Sequence, residues 1–473
     1  MPAPHDRSRI SLFTLTWPIL VENLLRTSFL SLDTLMLSNY SEHAVAAMSI
    51  VNAVGFFIQL LYFMVGTGAN ILISQNLGAR QYGAAGRVGV GSLLLIVLFS
   101  LVVSLVAWAS TDTIVGLFDL EPLVRDCASV FIRIYTGASA FLALNIVQSN
   151  ILRSWGNSRD SMVVNIIMLG LTVGICVFGL FGPFYFSGPG LLASTATVSP
   201  LVDRPTLVVD GMTWVAVATV AGQALTCIVF AVILRWRKEI VLPIREIFRI
   251  PKRIYRSILA VGVPTAGETL SYNLAQLVIL SMVSTMGTEA LAAYGILIAL
   301  LRYVFIFGVS VGMGTQIKVG YFVGAGAYET AHRRVYLYVA VGFLVTLSLA
   351  LSLYLTSQPL IGLFSQKESV FVLIVSVLFV AVFHEPGRSI NTVLIPGLKG
   401  AGDVLFPVII GLVSMWGIGV FVSYLLGVQM GLGLVGIWIA LAMDEWLRGI
   451  VMLGRWRSRV WMKKTLVLER QSV

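Results

Sequence analysis

Apolar runs about 20 residues long recur along this whole 473-residue chain. That is the length an α-helix needs to cross the hydrocarbon of a bilayer. Inside lipid every backbone polar group must be satisfied within the protein, so long apolar segments of this kind fold as helices. The chain is 58% hydrophobic and only 11% charged, whereas a soluble domain carries roughly 25% charged residues. Such a chain cannot cover itself in water. The expected fold class is an all-α integral membrane protein. Twelve transmembrane helices are expected near 12–37, 46–72, 88–111, 127–151, 162–184, 212–234, 257–284, 290–316, 335–356, 370–395, 404–427 and 433–454.

Charge gives the orientation. The net charge of +10 resides largely in loops between the runs, including RWRKEIVLPIREIFRIPKRIYR (235–256) and the tail segment RWRSRVWMKK (455–464). Loops on the other side, such as TDTIVGLFDLEPLVRD (111–126), are acidic or neutral. Lys and Arg mark cytoplasmic loops, so both termini and the central loop are expected in the cytoplasm, with the protein multi-pass in the cell (inner) membrane. The same distribution argues against a nucleic-acid partner. Residues 1–10 are polar and the first run is full length, so it is expected to remain as a helix. Cys127, Cys176 and Cys227 have no metal-ligand spacing and read as free thiols packed as small hydrophobes.

Motif residues of the two halves match at a constant shift of 246. Pro18 and Glu22 match Pro264 and Glu268; Gly66 and Gly68 match Gly312 and Gly314; Gly78-Ala79 match Gly324-Ala325; Asn145 matches Asn391. Arg153 and Gly156 fall opposite Lys399 and Gly402. Six spans per repeat make the two copies parallel, with a pseudo-two-fold axis along the membrane normal. The expected domains are an N-terminal six-helix lobe (1–236), a basic cytoplasmic linker (237–256) and a C-terminal lobe with its tail (257–473). After Gly156 the register breaks at FYFSGPGLLASTATVSPLVDRPTLVVD (184–210), read as a tolerated outer loop.

Against the repeat, the acidic residues separate. Asp33 lies in the apolar run LSLDTLMLSN, and its partner position 279 is Ile. A charge at bilayer depth costs roughly 2.5–3.5 kcal/mol, and such residues usually face a cavity and work there. Glu22, eleven residues earlier, returns to nearly the same helical face roughly 16 Å away. Arg26 stands one turn beyond Glu22 and in position to pair with it, so a structural and a coupling role for Glu22 both stand. Glu268 has Tyr272 where Glu22 has Arg26; Tyr272, Asn273 and Gln276 surround a carboxylate with no local counter-charge. In the tenth run, HEPGRSIN (384–391) suggests an ion pair of Glu385 with Arg388 next to a kink or break at Pro386-Gly387. Asp444 and Arg448 in the twelfth run read as a packing pair, and spacings such as Gly308 to Gly312 as close helix approach. No Walker-type phosphate loop and no H-E-x-x-H occurs. The chain therefore reads as a transporter driven by an ion gradient, not an enzyme.

LDTLMLSNYSEHAVAAMS (32–49), SQNLGAR (74–80), ILRSWGNSRD (151–160) and its echo GLKGAGDVLFPV (397–408) resemble the multidrug and toxic compound extrusion (MATE) family, bacterial branch. The resemblance spans essentially the whole chain. It implies a two-bundle, twelve-helix transporter that exports small organic cations or amphiphiles in exchange for H⁺ or Na⁺, as a monomer without cofactor. It makes Asp33 the first-lobe coupling carboxylate, and the metal ligand if the ion is Na⁺. Asn145 and Asn165 match the polar residues that the family keeps near that aspartate. The second span-five asparagine of many members is missing around 169–172. Glu268 matches the span-seven carboxylate used by some members, and GETLSYNLAQ and HEPGRSIN add Tyr272, Asn273, Gln276, Glu385, Arg388 and Asn391 as cavity candidates. Two rivals remain: a lipid-linked oligosaccharide flippase of the same superfamily, which needs a strongly cationic cavity, and a non-transporting scaffold, which gives Asp33 no purpose.

Overall fold

The computed structural model describes residues 9–186, 205–362 and 367–467, without side-chain description at 29–40, 179–186, 205–207 and 248. Everything regular in it is helical. The long helices are α1 (Leu12–Tyr40), α2 (Glu42–Gly78), α3 (Tyr82–Ala109), α5 (Pro122–Gly137), α6 (Ser139–Ser154), α7 (Ser158–Phe186), α8 (Pro205–Trp236), α9 (Lys252–Ser284), α10 (Thr288–Gly324), α11 (Tyr328–Leu355), α13 (Glu368–Ala401) and α15 (Gly433–Arg457). Two single-turn helices, α4 (Thr111–Gly116) and α12 (Ser357–Gly362), stand between them. The helix α14, Leu405–Gln429, is interrupted by π-helical turns at Met415–Val420 and Tyr424–Gln429. Among the described residues, eight helices are long and apolar enough to cross a membrane, or nine if the bent pair α5–α6 is one span.

Several boundaries differ from the sequence expectation. The run at 127–151 is two helices meeting at 52°. The bend sits between Gly137, a poor helix former, and Ser139, whose hydroxyl is tied to Tyr62 Oη and Ser104 Oγ at 2.7 Å each. The outer loop read at 184–210 is shorter, because α7 runs on to Phe186 and α8 begins at Pro205; residues 187–204 lie outside the described residues. Of the kink or break read at Pro386-Gly387, the break does not occur, since α13 is continuous through both Pro386 and Pro396. Neighbouring helices hold a membrane helix together across a proline. Gly387 serves close packing, as a Cβ there would stand 2.9 Å from the Trp446 ring. By its letters, GVSVG (308–312) spells a nucleophile-elbow pattern, but Ser310 is buried in mid-helix and donates to the Ile306 carbonyl at 2.8 Å.

The chain forms two compact units. The N-terminal unit comprises Val21–Ala69 and Gly86–Arg256. Its core gathers Val51, Cys127, Phe131, Met212 and Ala216 from α2, α5 and α8. The C-terminal unit comprises the chain through Leu20, Asn70–Ala85 and Ser257 onward. Its cores centre on Ile279, Leu297, Ile374 and Trp438, and on Val335, Val393, Leu398 and Trp456. Cys127 and Cys176 are buried and all three cysteines are free thiols.

Within the C-terminal unit the end of α2 meets α10 backbone to backbone. A Cβ on Gly78 would lie 2.2 Å from the Tyr321 carbonyl oxygen, and one on Gly324 would lie 1.9 Å from that of Gln75. Both contacts join equivalent positions of the 246-residue shift, crosswise. Asn70 and Gln316, themselves 246 apart, hydrogen-bond at 3.1 Å. Gly324→Ala must push the helices apart, and overpacking of this kind costs about 1–3 kcal/mol or more. The expected result is a lower melting temperature in detergent for Gly324→Ala than for the control Gly295→Ala, where a Cβ meets nothing.

Candidate functional site in the N-terminal unit

The N-terminal unit encloses a cavity of about 390 Å³. Its walls are Glu22 and Arg26 of α1, Gln59 and Phe63 of α2, Asn145, Ser149 and Arg153 of α6, Asn165 and Thr172 of α7, and Thr219 and Gln223 of α8. The mixture is what a helical bundle needs to take an amphiphile: aliphatic and aromatic surface with a few placed polar groups. Glu22 is the fixed point. Its Oε1 accepts from Arg153 Nη2 at 2.5 Å and from Asn165 Nδ2 at 2.9 Å. The ion pair is largely buried, with the side chains 12% and 10% exposed. Arg153 lies in the last turn of α6, where the free carbonyls of the helix end favour a cation.

The local pair expected from i, i+4 spacing is absent: Glu22 and Arg26 form no ion pair. The carboxylate turns instead to a base 131 residues away, and Arg26 faces the cavity. Asn145 donates to the Gln223 carbonyl at 2.9 Å, fixing α6 to α8. Glu22 Oε2, Arg153 Nε and Asn145 Oδ1 are buried with no partner among the described residues, which supplies both donors and acceptors to whatever enters. Asp33 is on α1; its side chain lies outside the described residues.

In the C-terminal unit Glu268 does have a fixed counter-charge, against expectation. Lys399 Nζ donates to its Oε2 at 2.5 Å, again across 131 residues and again from the last turn of a helix, α13. Glu22–Arg153 and Glu268–Lys399 are therefore equivalent pairs at the 246-residue shift. In the sequence the four residues stand as matches across the repeat, with nothing local to pair them. The signal was there, since both an acid and a base recur at one shift.

Of the remaining candidates, Glu385, Arg388 and Asn391 join a second buried polar cluster. His384 and Arg388 contact Glu385 at 3.1 and 3.3 Å, and Arg388 stacks 3.8 Å over Phe305. Asn391 donates to the Glu445 carboxylate and carbonyl, each at 2.7 Å. Arg448 bridges Asp444 at 3.0 Å and Glu445 at 2.8 Å, and Ser414 donates to Asp444 where the first π-helical turn of α14 begins. Tyr272 lies within electrostatic reach of Arg388 and Arg448. Asn273 spends its amide on the Thr269 carbonyl of its own helix, at 2.7 Å, and Gln276 is half-buried with no hydrogen bond among the described residues. Glu445 was missed from sequence because the adjacent Asp444 already satisfied the helical spacing to Arg448.

The MatE family model matches the chain twice, over residues 18–178 and 264–425. The chain belongs to the MATE family of transporters. An uncharacterized transporter, YisQ of Bacillus subtilis, is 34% identical to this MATE transporter over 98% of its chain and 96% of the relative. A probable multidrug resistance protein, NorM of Thermotoga maritima, is 25% identical over 98% and 95% of the two chains. Among solved structures, an outward-facing multidrug resistance MATE family transporter of the MOP superfamily superposes with a TM-score of 0.85, at 18% identity and 97% coverage of each chain. A MOP superfamily transporter from Pyrococcus furiosus gives 0.83 at 19% identity, covering 96% of each. The fold is shared over essentially the full length, and the protein is a multi-pass membrane transporter rather than an enzyme.

Proposed function

We propose that this MATE transporter exports small organic cations and amphiphilic drugs in exchange for H⁺ or Na⁺, by alternating access, as a monomer in the inner membrane. The helices outside the hydropathy set, α1, α9 and α15, complete twelve spans with the bent pair counted once. The lobes are 1–236 and 257–473, joined by the linker 237–256, with the linker and both termini cytoplasmic. The parallel repeat is supported by the two family matches, which begin at 18 and 264, and by the equivalent ion pairs.

The observation that carries the reading is the largely apolar cavity whose wall carboxylate, Glu22, is already bound by Arg153 and Asn165. A group so held is a poor carrier of an exchangeable ion. The exchange then falls to Asp33, the carboxylate of α1 that the second half lacks. Neutralised by an ion from outside, it loses its claim on a cationic substrate, and release follows. Recharged from inside, it binds again. Asn145 and Asn165 orient what is bound; Glu268, Tyr272, Asn273, Gln276, Glu385, Arg388 and Asn391 form the corresponding polar wall of the second lobe. Relatives named as probable multidrug resistance proteins support the substrate class. Proteoliposomes loaded with a fluorescent organic cation decide the ion: an outward-acid pH jump or an inward sodium jump starts efflux, and efflux indifferent to both overturns ion coupling.

A further inference from the structure

The linker between the lobes is a built surface. Residues 237–256 do not hang free; they are pressed into the start of α3. A Cβ on Gly86 would stand 2.0 Å from the Val241 carbonyl oxygen, and one on Gly91 would stand 3.1 and 3.3 Å from Ile250 and Ile254. Only glycine lets the strap lie this close. Its inward face is Ile240, Ile250 and Ile254, at 7%, 8% and 3% exposure. Arg237 clamps one end by forking the Asp160 carboxylate at 2.8 Å through both Nε and Nη2.

The opposite face is basic and apolar at once. Arg235, Arg245, Arg249, Lys252, Arg253 and Arg256 are all exposed, with only Glu239 and Glu246 opposing them. Among them Trp236, Val241 and Ile244 are 79%, 46% and 56% exposed. The strap leaves α8 directly at its end and leads directly into α9. It therefore lies at the level where hydrocarbon gives way to headgroups. Exposed Trp and Ile there enter the interface, and flanking Arg and Lys reach phosphates; this is the composition of an interfacial anchor.

We propose that the 235–256 strap is a docking site for the headgroups of anionic phospholipids. Charge complementarity selects the partner, since each Lys or Arg near an anionic surface adds attraction that salt screens. The glycine-pinned backbone holds the charges in a fixed array, so binding costs little ordering of the strap.

The test uses the full-length transporter in nanodiscs containing equal phosphatidylglycerol and phosphatidylcholine, with lipids retained after detergent exchange counted by native mass spectrometry. The expected result is retention of phosphatidylglycerol over phosphatidylcholine by at least about tenfold, abolished in 0.5 M salt. The combined Arg245→Gln, Arg249→Gln, Lys252→Gln, Arg253→Gln variant is expected to lose the preference. The charge-keeping Arg245→Lys, Arg249→Lys, Lys252→Arg, Arg253→Lys variant is expected to keep it. Equal retention of the two lipids by the wild type, or a preference that survives both high salt and charge removal, overturns the proposal. The wild-type salt series reads out even if the neutralised variant does not fold, and none of these measurements depends on transport.

Discussion

Asp33→Asn is expected to fold, insert and bind detergent like the wild type while losing ion-driven efflux. The amide keeps the shape of the carboxylate and removes its charge, so insertion becomes easier, not harder. What disappears is the step that couples export to the gradient. A tenfold gradient of the exchanged ion is worth about 1.4 kcal/mol, a tenfold concentration ratio of the exported cation, and the variant forfeits that lever. Proteoliposome efflux under an imposed gradient should fall towards the passive leak. Wild-type efflux in the variant would remove Asp33 from the mechanism and return the role to Glu22 or Glu268.

The second large effect belongs to stability. Breaking a buried ion pair from one side leaves an uncompensated charge and costs about 3–5 kcal/mol. Arg153→Met strands Glu22, and Lys399→Met strands Glu268; both should melt well below the wild type. Removing both partners at once, as in Glu22→Gln with Arg153→Met, should recover much of the loss, because a paired charge is worth little over a neutral replacement. Arg26→Gln provides the contrast. Its partner is not Glu22, so the variant should express and melt close to the wild type. A collapse of Arg26→Gln with no effect of Arg153→Met would reverse the assignment of Glu22's counter-ion.

What could be read from the sequence follows from range. Apolar runs of membrane length are local, and the eight helices long and apolar enough to cross a membrane among the described residues each lie on one of the runs read from sequence. Helical spacing also found Glu385 with Arg388 and Asp444 with Arg448, which meet as expected. The same local rule failed at Glu22, where a base from α6 outcompeted the arginine one turn away. Glu268 seemed unpaired for the same reason, with its lysine 131 residues off. Tertiary partners of this kind show in one sequence only through a repeat, and here both halves carried the acid and the base. Pro386-Gly387 misled in another way. A proline signals a break only where nothing else holds the helix, and α13 is packed on several sides by its own unit.

Exchange at the first-lobe carboxylate ties ion entry to substrate exit. The most direct measurement follows ion entry and organic-cation exit together, in the same proteoliposomes, for the wild type and Asp33→Asn. Stoichiometric countermovement is expected in the wild type, with both fluxes lost together in the variant. Export that proceeds with no accompanying ion flux, or coupled fluxes that persist without the Asp33 charge, would contradict it.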